Sequence, residues 1–127
     1  MKSLAFSLRE RDELGLKGLL PPAVRTQEMQ VKIVMENIRS ARFPDELAKY
    51  MYLRDLQDHN KRLFYRVLQQ YTEELMPIVY TPIVGLACQH YSFIFKKTRG
   101  IFITINDAGN ISSILNNWPE PSVKVIF

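Results

Sequence analysis

The chain has 127 residues, 46% of them apolar and 24% charged, with a net charge of +4. That suffices for one domain or slightly more with a core of its own, and the charged share is ordinary for a soluble domain. One cysteine, Cys88, excludes an internal disulfide framework and fits a reducing compartment, and no apolar run approaches the length of a membrane span.

The basic residues are scattered apart from Lys96-Lys97-Thr98-Arg99. A clustered basic face with exposed aromatics is missing, so a nucleic-acid partner is not expected. Met1 to Leu8 lacks a long apolar segment followed by a small-residue cleavage site, so it is not a secretory signal. The domain begins almost at Met1 and leaves no room for an import leader. The expected location is therefore the cytoplasm, with the mitochondrial matrix as the alternative.

Ser7-Leu8-Arg9-Glu10 has the form of a capping box and opens a short helix with Leu8, Leu14 and Leu16 on its apolar side. Gly15 or Gly18 stops it, and Leu19-Leu20-Pro21-Pro22 forms a rigid extended corner. Thr26 caps the next helix, whose apolar residues from Met29 to Ile38 fall on more than one side. Such a helix is either enclosed by neighbours or set in a subunit contact. Pro44-Asp45-Glu46 starts a long helical region, with Leu47, Tyr50, Met51, Leu53 and Leu56 at helical spacing. Asp58-His59-Asn60 marks a kink or join before a second segment carrying Leu63, Phe64, Val67 and Leu68 on one face. His59 has no Cys or second His at ligand spacing, which argues against a metal role.

Thr72 to Met76 reads as a helical turn ended by Pro77. Adjacent Glu73 and Glu74 splay apart on it, and solvation is their expected role. Ile78 to Thr81 is then an extended loop held between Pro77 and Pro82. Thr81 serves as N-cap and Pro82 as first residue of a helix reaching about Phe95, with Leu86, His90, Phe93 and Ile94 toward one side. Gly85 permits close approach of another backbone or a ligand. Cys88 reads as a small buried hydrophobe; His90, two positions on, lies on another helix face and does not complete a nucleophile pair.

After Gly100 the character changes. Ile101-Phe102-Ile103-Thr104-Ile105 reads as a doubly covered strand, 106–110 as a turn, 111–118 as a helix and 122–127 as a second strand. That order predicts a βαβ unit with parallel strands. The fold class is therefore mainly α: a helical domain over residues 1–98, then the first βαβ unit of a truncated α/β domain over 99–127. A chain stopping on an apolar strand ends inside a domain, as a fragment or a shortened product.

Tyr80 stands between Pro77 and Pro82, rigid backbone on both sides. Such a tyrosine is either a packing residue with a bonded hydroxyl, the commoner case, or a phenol presented at a fixed place.

The run Met76-Pro77-Ile78-Val79-Tyr80-Thr81-Pro82, with Val84-Gly85-Leu86-Ala87-Cys88-Gln89, resembles the signature near the amino end of malic enzymes. Gly18-Leu19-Leu20-Pro21-Pro22, Leu63-Phe64-Tyr65-Arg66-Val67-Leu68, Arg99-Gly100-Ile101-Phe102-Ile103-Thr104-Ile105 and Asn117-Trp118-Pro119-Glu120 agree in the same order. The resemblance implies oxidation of L-malate with NAD or NADP and decarboxylation to pyruvate and CO2 with Mg2+ or Mn2+. It implies that Tyr80 is the proton donor in the tautomerisation of enolpyruvate, beside a lysine from a later segment. It places the substrate arginine, metal ligands and dinucleotide domain beyond Phe127, so no cofactor-binding or metal residue is expected in this chain. Tyr80 alone cannot carry the reaction.

The resemblance further implies a homo-oligomer, a dimer or tetramer, with contacts sought on the helix from Met29 to Ile38 and on Leu63-Phe64-Tyr65. Some animal mitochondrial members are activated by fumarate through two arginines, and Ile33 and His59 occupy those positions. Neither is a permanent cation able to grip a dicarboxylate, so no such activation is expected. A malolactic relative, releasing lactate, is the nearest enzymatic rival. A non-catalytic module that pairs with full-length subunits is the alternative from another class.

Overall fold

The computed structural model describes residues 3–97 and 99–124. The chain divides into two compact units, Met1–Ile94 and Phe95–Phe127.

The first unit is helical. After a 3-10 turn at Ser3–Ala5 comes α1, Leu8–Glu13. Ser7 caps α1 through its side chain, and Glu10 reaches back to the Ser7 N–H, completing the expected box. Gly15, at φ 66°, ends it: the Gly15 and Leu16 amides donate to the Asp12 and Arg11 carbonyls. That pairing satisfies carbonyls a helix end leaves open, and it needs a residue at positive φ. Leu8 and Leu14 do not form a buried side; both are exposed. Buried in their place is Arg11.

α2 spans Gln27–Arg39 and α3 spans Glu46–His59, capped by Thr26 and Asp45. α4, Lys61–Gln70, follows without a spacer. Asn60 ends α3 and caps α4, its side chain accepting from the Leu63 amide at 3.2 Å. The Asp58–Asn60 segment is thus a join, set by the readiness of Asn to bond its own backbone. α2, α3 and α4 bring Val31, Val34, Met35, Ile38, Tyr50, Leu53, Leu63, Phe64 and Val67 into one core. α2 is therefore a core helix: of its apolar residues only Met29 is left exposed.

α5 runs Thr72–Val79 and adds Leu75 and Ile78 to that core; α6, Ile83–Gln89, adds Ala87. A four-residue turn, α7, covers Tyr91–Ile94.

In the second unit a 3-10 turn at Ile105–Asp107 is followed by α8, Ile111–Asn116. The expected βαβ unit does not form. There is no strand among the described residues. Residues 101–104 and 122–124 carry no regular structure, and 125–127 lie outside the described residues. A β-rich run becomes a strand only when a neighbour pairs its N–H and C=O groups, and the described residues offer none. Phe102, Ile103, Ile111 and Leu115 are exposed.

Candidate functional site

The site is the corner where α5 meets α6. Pro77 does not end α5; it lies inside it. Its ring removes one backbone donor, yet the helix runs on for two residues because Ile78 is buried in the core. Tyr80 is then the C-cap, its amide donating to the Met76 carbonyl at 2.8 Å. Its own carbonyl accepts from the Val84 amide at 2.8 Å, so the Tyr80 backbone is held from both helices. The Thr81–Pro82 peptide is cis, and Pro82, not Thr81, occupies the cap position of α6 without any side-chain cap bond.

On this doubly held backbone the Tyr80 ring is 63% exposed. Its hydroxyl has no hydrogen-bond partner among the described residues. Among the described residues Tyr80 is therefore neither buried nor held through its hydroxyl. Ile78 and Ala87 anchor the corner on either side of it, with Val79 and Ile83 packed against the core.

The far side of α5 is fixed by charge. Arg39, at the end of α2, donates from Nε to Glu74 Oε1 at 2.9 Å and from Nη2 to Oε2 at 2.6 Å. The Arg39 guanidinium also lies 5.3 Å from the centre of the Tyr71 ring. The hydrogen bonds from Arg39 hold the Glu74 carboxyl below its ordinary range, and Glu74 in turn raises Arg39. Glu74 is therefore a structural partner and not simply a solvated charge. Sequence reasoning missed it because its partner is 35 positions away.

Other expectations near the corner change. The stripe Leu86, His90, Phe93 is exposed, because the helix breaks at His90 and α7 restarts out of phase. Only Ile94 of that set packs against the core. Cys88 is exposed, not buried. A Cβ added at Gly85 would meet nothing within 4 Å, so no described part of the chain approaches it closely.

Among the described residues no group of three or more His, Cys, Asp or Glu side chains is placed to hold a metal ion. Asp107 is engaged elsewhere: the Thr104 amide and hydroxyl donate to it at 2.7 and 2.8 Å and hold its carboxyl below the usual range. Ile33 and His59 do come together, lining one cavity of about 410 Å³ with Arg25, Gln30 and Leu63. His59 is exposed, and its Nδ1 sits 2.8 Å from the Asp55 carbonyl.

A helical unit thus presents Tyr80 at the corner between two short helices, flanked by Pro77 and Pro82. The family model "Malic enzyme, N-terminal domain" matches residues 57–127, which include that corner. The chain belongs to the malic enzyme family.

It is similar to the human NADP-dependent malic enzyme, 54% identical over 125 residues, covering 98% of this chain and 22% of that protein. It is similar to a rice chloroplastic NADP-dependent malic enzyme at 50% identity, covering 98% of this chain and 19% of the relative. With the mouse mitochondrial NADP-dependent malic enzyme the identity is 49%, over 98% of this chain and 20% of the relative. The chain thus spans about a fifth of the length of the curated relatives it matches. No helix among the described residues is long and apolar enough to cross a membrane.

Proposed function

We propose that this chain is the amino-terminal part of a malic enzyme, which converts L-malate to pyruvate and CO2 with NADP and Mg2+ or Mn2+. The names of the relatives favour NADP over NAD. Residues 1–98 form its helical domain and 99–127 begin the substrate domain. Tyr80 is the proton donor, giving its phenolic proton to the methylene carbon of enolpyruvate while the enol hydroxyl gives its proton to the lysine of the later segment, so that the ketone forms. The observation that carries this is an exposed phenol, unbonded among the described residues, on a backbone fixed from two helices. A general acid must have its proton within reach of the atom it protonates, and a fixed backbone holds it there.

The test is a chimera in which residues from this chain replace the matched 125 residues of the human relative. The chimera is expected to release pyruvate from malate, and Tyr80→Phe to lower kcat by about 10²-fold or more with Tm unchanged. A kcat within a few-fold of the parent overturns the role of Tyr80. Fumarate is not expected to activate the chimera through Ile33 and His59, which supply no fork of cations.

The second reading is a non-catalytic module that pairs with full-length subunits. Exposed Met29 and Tyr65, on the two helices where subunit contact is expected, favour it. Co-purification of the 127-residue chain with a full-length malic enzyme supports pairing, in a dimer or tetramer; a monomer that ignores that partner counts against it.

A further inference from the structure

Arg11 is only 3% exposed, and among the described residues it has no carboxylate partner. Its guanidinium meets backbone carbonyls instead. Nε donates to Phe6 at 3.0 Å, Nη1 to Pro21 at 2.6 Å and more weakly to Pro22 at 3.5 Å, and Nη2 to Leu4 at 3.2 Å and Ala23 at 3.0 Å. A guanidinium carries five N–H donors in one rigid plane, and here every one of them has a carbonyl to meet. A buried cation is tolerable only when its donors are satisfied in this way.

Those carbonyls lie on both sides of α1. They draw the segment before it against the double-proline corner after it. One further bond closes the loop, from the Arg25 amide to the Leu4 carbonyl at 3.0 Å. Apolar packing of this segment is partial: Leu8, Leu14, Leu19 and Val24 are exposed, Leu4, Phe6, Leu16 and Leu20 are half-buried, and none belongs to the buried core. Yet the segment forms a wall. Ala5 and Val24 line a cavity of about 350 Å³ with Gln30 and Leu63, and Leu4 and Leu20 line a neighbouring one of about 410 Å³ with the same two residues.

We propose that Arg11 is a clasp. It closes residues 4–25 as a strap over the cavities beside α2 and α4, and the strap opens as one unit while the α2–α5 core stays folded. A segment with few buried apolar contacts and one polar tie belongs to the low-stability end of a fold. Lysine cannot replace the tie, because three donors on a flexible stem do not span carbonyls laid out around a planar fork.

Native-state hydrogen exchange on the 127-residue chain tests this. In the unaltered chain the amides of Leu16, Leu19 and Arg25 are expected to exchange through one shared opening, faster than the amides of α4. Separate openings, or exchange of these amides only through global unfolding, overturn the proposal, and this arm needs no variant. In Arg11→Lys the Arg25 amide is expected to exchange about tenfold faster or more, with α4 amides within about twofold of the unaltered chain. An unchanged Arg25 amide shows that Arg11 is no clasp. Equal acceleration of the α4 amides shows that it belongs to the global core. Either result overturns the proposal.

Discussion

Arg39 and Glu74 form a two-point fork, Nε to Oε1 at 2.9 Å and Nη2 to Oε2 at 2.6 Å, joining the last turn of α2 to the first turn of α5. A planar guanidinium and a carboxylate meet this way with their orientation fixed as well as their distance. α5 ends at Tyr80, so the fork sets the direction from which that corner is approached.

The fork titrates in a definable sense. Glu74 is held below its ordinary value by the hydrogen bonds from Arg39, and Asp107 is held down by the amide and hydroxyl of Thr104. A carboxyl whose folded pKa is depressed adds stability above its unfolded pKa, and that stability is lost as pH falls through the folded pKa. Tm is therefore expected to fall in acid. Glu74→Gln lowers Tm by no more than a few degrees near neutral pH, since exposed pairs are weak and salt-screened. Melting curves of both chains across the acid range check it: the gap between them closes as pH drops.

Leu75 and Leu53 are fully enclosed in the core. Leu75→Ala or Leu53→Ala is expected to cost about 2–5 kcal/mol, the transfer loss plus a cavity that neighbours only partly fill. Urea unfolding of each variant measures it. Leu86→Ala, at an exposed position of α6, is expected to fall far below that range.

Asn60 is buried and caps α4 while ending α3. Asn60→Ala is expected to cost about 1–2 kcal/mol, and Asn60→Asp, which keeps the accepting oxygen, less. The same unfolding experiment separates the two.

Cys88 is exposed on α6. A thiol reagent is expected to modify it completely in the native chain without denaturant. Cys88→Ser is expected to change stability by no more than about 0.5 kcal/mol, as for other surface positions. Protection of the thiol until unfolding contradicts this placement.

The features legible in the sequence are those whose partners lie within one helical turn. The Ser7–Glu10 box, the Thr26 cap and the join at Asn60 each link a side chain to backbone three residues away. The helices α2 to α4 follow from the spacing of their apolar residues, whereas the two prolines beside Tyr80 suggested a loop where α5 runs on to Val79. Arg11 was illegible because its partners are carbonyls, which every residue has. Pro77 misled because a proline tolerates a helix when a buried residue beyond it, here Ile78, holds the chain in place. The β-rich run at 101–105 misled because strand formation depends on a partner that local composition does not supply.

The shared residue at the α3–α4 joint also fixes rotational phase. With no slack between the helices, an inserted residue turns all of α4 by about 100° relative to α3, given 3.6 residues per turn. Leu63, Phe64 and Val67 would swing out of the core together. Length at this one joint is thus as tightly constrained as the identity of any core side chain.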